Sequence, residues 1–173
     1  LNRLKDELKS IAAKIQGVES IEITIGQGFH KTDIYRKHDF KMPSKILLVD
    51  DEREYVKTLS ERLILREMGS AVAYDGESAL NLIQKDDPEV IIVDLKMPGI
   101  DGFDVLQKVK ESRPDIEVII LTGHGNDADG RRCMEMGAFA YLQKPLDINE
   151  LSETIKAAND KIRQRKAAAD GHQ

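Results

Sequence analysis

Cysteine is nearly absent. The single Cys133 rules out an internal disulfide and suits a reducing cytosol. No apolar run approaches the length of a membrane span, and no secretory signal pattern opens the chain. These absences lead us to expect a cytoplasmic protein with no membrane association. A broad basic field is missing too. Residues 1–43 hold 8 basic and 6 acidic residues, residues 44–173 hold 18 and 25, and the whole carries a net charge of −5. That balance argues against a nucleic-acid surface. No Gly-x-Gly-x-x-Gly follows the first strand pattern, which argues against a dinucleotide site. His30, Asp33, His38 and Asp39 fit no compact metal-ligand spacing. What remains is 40% hydrophobic and 33% charged, the balance of one globular domain of ordinary size with an extension.

The chain divides near Met42-Pro43-Ser44. Beyond it, short apolar runs alternate with helical spacing. Strands are expected over 45–50, 70–74, 90–94, 116–121 and 138–142, and helices over about 53–68, 76–86, 102–111, 126–136 and 147–165. A βα unit repeated five times gives an α/β fold with a parallel sheet. Gly69 and Gly137 are expected C-caps. Lys161, Arg163, Arg165 and Lys166 are expected in the last turns of the final helix, where the helix dipole favours cations. Residues 167–173 are expected to form a disordered tail. Residues 1–43 differ. Leu1, Leu4, Leu8, Ile11, Ile15 and Val18 form an apolar helical seam, Ile21, Ile23 and Ile25 alternate as in a strand, and 27–41 has the composition of a linker. The seam and the strand edge favour self-association through residues 1–26 as a homodimer.

The chemistry gathers at the ends of the strand patterns. Asp50 and Asp51 follow Ile46–Val49, Asp94 follows Val90–Val93, Thr122 follows Ile116–Leu121, and Lys144 follows Ala138–Leu142. Open parallel sheets bind ligands outside the carboxyl ends of their strands. Three carboxylates, a hydroxyl and an amine therefore arrive at one edge. Taken singly, Asp51 fits a helix N-cap and Asp94 a turn. Together the acids repel one another unless a hard cation with oxygen ligands joins them. A carboxylate beside such an ion can act as a nucleophile and form an aspartyl phosphate. The phosphoryl oxygens then need donors, which Thr122, Lys144 and backbone N–H groups can supply.

Four segments, Ile46-Leu-Leu-Val-Asp-Asp-Glu52, Asp94-Leu-Lys-Met-Pro-Gly-Ile-Asp-Gly102, Leu121-Thr-Gly-His-Gly125 and Gly137-Ala-Phe-Ala-Tyr-Leu-Gln-Lys-Pro145, together resemble the receiver domain of two-component response regulators. The likeness runs from Ser44 to about Arg165, within an expected domain of 44–166. It implies a doubly wound, flavodoxin-like sheet of five parallel strands. It implies Asp94 as phosphoacceptor and Mg²⁺ as cofactor, held by Asp51, Asp94 and the backbone carbonyl of Lys96, with Asp50 acting mainly through water. It implies Thr122 and Tyr141 as switch residues, Lys144 as the phosphate-pairing lysine, and a cis Lys144–Pro145 bond. Lys96 and His124 occupy the positions that tune phosphoryl lifetime.

Such a protein is a signalling switch rather than a turnover enzyme, catalysing only its own phosphorylation and dephosphorylation. The expected partners are a sensor histidine kinase or phosphotransfer protein, and a downstream protein on the face of the fourth helix, fifth strand and fifth helix, which carries Arg131, Arg132, Tyr141 and Lys144. Ala167–Gln173 is too short for an output domain, so a stand-alone switch without direct DNA binding is expected. The competing reading is a metal-dependent phosphatase of the haloacid dehalogenase type. That class carries a second acid two residues after its nucleophile, where this sequence has Lys96.

Overall fold

The computed structural model describes residues 45–171. The helical seam of 1–18, the strand of 20–26, the linker and the dimer contact through 1–26 lie outside the described residues. Five strands, β1 (Ile46–Val49), β2 (Ser70–Ala73), β3 (Val90–Val93), β4 (Glu117–Thr122) and β5 (Ala140–Gln143), alternate with five helices, α1 (Arg53–Ile64), α2 (Gly76–Asp86), α3 (Gly102–Ser112), α4 (Asp127–Glu135) and α5 (Ile148–Asp170). All strand pairs are parallel. The order is β2-β1-β3-β4-β5, so the winding reverses between β1 and β3.

Continuous apolar strands suit this arrangement because both faces of the sheet are covered. Side chains alternate across the sheet. Ile46, Leu48, Ile92 and Ile119 pack with Leu59 and Leu63 of α1 and Leu151, Ile155 and Ile162 of α5. Leu47, Val49, Ile91 and Val93 turn the other way, toward Ile83 of α2, Leu106 and Val109 of α3, and Cys133 of α4. Each large aliphatic chain so buried stabilises the fold by about 1.5–3 kcal/mol relative to exposure. Side-chain caps start four of the helices: Asp75 on α2, Asp101 with Asp104 on α3, Asn126 with Asp129 on α4, and Asp147 on α5.

The helix ends depart from expectation in instructive ways. Gly137 does close α4, with φ 97°, and the N–H groups of Gly137 and Ala138 donate to Met134 and Cys133, a Schellman arrangement. Ala138 is used up in that cap, so β5 begins at Ala140 rather than 138. Gly69 does not close α1. Glu67 takes the left-handed position, with φ 61°, and Met68 donates to the Leu63 carbonyl at 2.9 Å. Met68 is 3% exposed, and turning it into the core requires the chain to reverse before Gly69. At the far end, α5 runs through Asp170, so 167–170 are helical rather than part of a disordered tail. Ala167-Ala-Ala are the best helix formers available. The four cations of α5 consequently do not sit in its last turn, which holds no basic residue.

Candidate functional site

The register of the sheet assembles the site. Val49 of β1 lies opposite Val93 of β3, so the residues that follow leave the sheet side by side where the winding reverses. The Asp94 N–H donates to the Val49 carbonyl at 3.0 Å, and the Asp50 N–H to the Ala73 carbonyl at 3.1 Å. Asp50, Asp51 and Asp94 each bring a carboxylate oxygen within 4.8 Å of the others. Asp50 and Asp94 are buried, whereas Asp51 is exposed. Helix α1 has Glu52 at its N-cap and no side-chain cap. Asp51 therefore does not serve as a helix cap.

Register also delivers the amine and the hydroxyl. Thr122 lies opposite Gln143, and the Lys144 N–H donates to the Thr122 carbonyl at 3.0 Å. The Lys144–Pro145 bond is cis, as the resemblance implied. Lys144 Nζ stands 2.6 Å from Asp50 Oδ2 and 3.3 Å from Glu52 Oε1. It also rests 4.1 Å over the Tyr55 ring. The lysine is thus tied to Asp50 and Glu52 rather than bonded to Asp94. Thr122 is fully buried, and its hydroxyl accepts the His124 N–H at 3.3 Å.

The electrostatics are unbalanced. Burial pushes the Asp50 carboxyl above its ordinary range, against the opposing hydrogen bonds from Lys144 and the Glu52 N–H. Burial pulls the Lys144 ammonium down, but the hydrogen bond and charge of Asp50, with Asp94 and Glu52 behind it, outweigh that and leave it raised. One ammonium therefore answers a crowd of acids. Asp94 Oδ1 is buried with no hydrogen-bond partner, a costly state for a carboxylate oxygen. A hard divalent cation on these oxygens would relieve it, and carboxylates are the ligands Mg²⁺ takes. The residues present fit that ion.

Asp51, Glu52, Asp94, Lys96 and His124 line an open depression over the acids. The Lys96 and His124 side chains are exposed at its rim. The wall beneath is close-packed. An ideal Cβ on Gly102 would collide with the Asp94 carbonyl and lie 2.6 Å from Leu95 Cα. Only glycine lets α3 start against the backbone that carries Asp94. Tyr141, half-buried on β5, donates its hydroxyl to the Asn126 carbonyl at 3.3 Å.

Sequence reasoning missed two neighbours of Lys144. Neither Glu52 nor Tyr55 is among the residues expected at the site. Their spacing of three from each other was the available signal, because it puts the N-cap Glu52 and Tyr55 on one side of the start of the following helix.

Comparison with known proteins bears directly on this arrangement. The family model of the response regulator receiver domain matches residues 46–156. Over 114 residues the chain is 39% identical to the transcriptional regulatory protein CpxR of Escherichia coli, covering 66% of this chain and 48% of that protein. It is 33% identical to sporulation initiation phosphotransferase F of Bacillus subtilis, covering 66% of this chain and 93% of that one. The chain thus spans about half the length of the regulator and nearly all of the sporulation protein. Among solved structures, a response regulator receiver domain protein from Clostridium thermocellum superposes with a TM-score of 0.67 at 32% identity, over 70% of this chain and 98% of that one. A CheY-like receiver domain protein from Methanospirillum hungatei gives 0.67 at 26%, over 70% and 97%. With this sheet order, an acid cluster at the winding reversal and these relatives, the chain belongs to the response regulator receiver domain family of two-component signalling.

Proposed function

We propose that Asp94 is the phosphoacceptor of this receiver and that its phosphorylation alters a protein-binding face. The observation that carries the reading is the unpartnered, buried Asp94 Oδ1 beside two further acids at the mouth of an open depression. A carboxylate oxygen of Asp94 attacks the phosphorus of an incoming donor. The new O–P bond forms as the bond to the leaving group breaks, and the leaving group departs with its electron pair. The donor is a phosphohistidine of a sensor kinase or phosphotransfer protein. Asp50, Asp51, Asp94 and the Lys96 carbonyl would hold Mg²⁺. When bound, that ion offsets negative charge on the acids and the phosphoryl oxygens.

The remaining roles fall to the chain's own groups. Lys144, held at the site by Asp50, supplies an ammonium to the phosphoryl group. The Thr122 hydroxyl turns from the His124 N–H toward a phosphoryl oxygen. Tyr141 follows, and the face formed by α4, β5 and α5, with Arg131 and Arg132 exposed on α4, is read by the downstream protein. Lys96 and His124, exposed at the rim, govern how readily water reaches the phosphoryl group and so how long it lasts. Output is binding rather than turnover. The haloacid dehalogenase reading gains no support, since an exposed lysine stands where its second acid belongs.

Incubation with Mg²⁺ and acetyl phosphate, followed by peptide mass mapping, tests this directly. Wild type should carry one phosphoryl group on Asp94, and Asp94→Asn should carry none. Full labelling of that variant at another residue would overturn the assignment. Steady multiple-turnover release of phosphate from small esters would favour the phosphatase.

A further inference from the structure

Two glycines beside Tyr141 are not explained by backbone conformation. Among the described residues the glycines with positive φ are Gly99 and Gly137; Gly125 and Gly130 are not among them. Gly130 is buried inside α4, where glycine weakens a helix relative to alanine. Space accounts for both. An ideal Cβ on Gly130 would lie 3.0 Å and 3.2 Å from Cδ1 and Cε1 of the Tyr141 ring. One on Gly125 would collide with the Tyr141 hydroxyl and lie 2.9 Å from Thr122 Cγ2. Gly125 therefore stands between the side chains of Thr122 and Tyr141, and Gly130 floors the ring.

We propose that Gly125 and Gly130 form a seat, free of side chains, that holds the Tyr141 ring against the Thr122 loop, making both glycines positioning residues for the switch. The proposal rests on the reading that Asp94 is phosphorylated, because the seat has a task only if Thr122 moves. Thr122, Gly125 and the Tyr141 hydroxyl lie in series. A displacement of Thr122 toward the phosphoryl group reshapes the gap at Gly125, and the ring responds without an intervening side chain to absorb the change. A Cβ at Gly125 would evict the tyrosine hydroxyl, the far end of a half-exposed side chain, and would press on the buried Thr122 methyl, which must give slightly. At Gly130 the ring would have to give by a few tenths of an ångström.

The full chain labelled with 3-fluorotyrosine provides the test. It contains four tyrosines, and Tyr141→Phe assigns the ¹⁹F resonance of interest. In the unphosphorylated protein, Gly125→Ala should move the Tyr141 resonance toward its solvent-exposed position, and Gly130→Ala should move it less in the same direction. The Tyr55 and Tyr74 resonances should stay in place. With Mg²⁺ and acetyl phosphate, Asp94 of Gly125→Ala should be labelled to the wild-type extent by mass, while its Tyr141 resonance no longer responds. A Tyr141 resonance that keeps its wild-type position and response in both variants overturns the proposal. Thermal midpoints give a second readout. Gly130→Ala should lower the midpoint in wild type and raise it in a Tyr141→Ala background; a rise in both backgrounds also overturns the seat. Failure of wild-type Asp94 to accept phosphate would refute the phosphoacceptor reading instead, and the unphosphorylated spectra would still decide the seat.

Discussion

The two edges of the sheet both bury carboxylates, and they treat them in opposite ways. At the amino edge, Glu117 is fully buried on β4. Lys161 reaches it at 3.2 Å and Arg165 at 3.0 Å. Arg165 also donates to the Asp115 carbonyl, Lys110 to the Ile116 carbonyl, and Lys166 to Glu89. At the carboxyl edge, Asp50, Asp51 and Asp94 crowd together, Lys144 is committed to Asp50 and Glu52, and a buried oxygen of Asp94 is left unmatched. The same chemical group is satisfied where it holds α5 to the sheet and frustrated at the edge where we propose that it reacts. Frustration kept at one end of a well-formed sheet is the usual signature of a functional site.

The comparison can be broken most forcefully at the satisfied edge. Replacing both Lys161 and Arg165 with alanine strands Glu117 in the core and should cost about 3 kcal/mol of stability, read from urea unfolding. Glu117→Gln should cost clearly less, because the two cations left behind are half exposed and can rehydrate. Equal losses would show that the carboxylate is not the group at risk.

At the frustrated edge, Asp51→Ala should weaken Mg²⁺ binding at least tenfold, or about 1.4 kcal/mol, in a calorimetric titration. Stability without metal should hardly change, since Asp51 is exposed and caps no helix. An unchanged titration would remove Asp51 from the metal site.

Asp94→Asn sharpens the contrast in sign. Removing a buried, unmatched charge from a cluster of acids should raise stability in EDTA by about 1 kcal/mol. A loss of that size would mean that Asp94 is structurally satisfied after all.

The smallest effect concerns pH. The Arg113 guanidinium, bonded at 3.1 and 2.9 Å, holds the Asp115 carboxyl below its ordinary range. A lowered carboxylate contributes stability that is complete above its unfolded value, near pH 4, and is lost as pH falls through the lower folded value. Because the pair is substantially exposed, its contribution is about 0.5 kcal/mol. Asp115→Asn should flatten the acid limb of the stability profile by that amount; a steeper limb would contradict the sign.

Period and length, which follow from local backbone geometry, made much of this molecule legible in its sequence. Short apolar runs and amphipathic spacing placed all five strands and five helices, with ends within about five residues. The rule that ligands gather at the carboxyl ends of parallel strands points to Asp50, Asp51, Asp94, Thr122 and Lys144, and each of them does lie at that edge. Other features depend on what packs against what, which no local pattern encodes. Met68 had to enter the core, so α1 ends at Ile64 and the chain reverses at Glu67 rather than at Gly69. Glu117 sits inside a run that reads as apolar, and only the crossing of α5 over β4 supplies its cations. Lys161 and Arg165, expected in the last turns of that helix, lie short of its end at Asp170. The pairing of Lys144 with Asp50, and the glycine gap shared by Thr122 and Tyr141, join segments distant in the chain or on different elements. Their distances are set by sheet register and helix packing, and only the tertiary structure decides them.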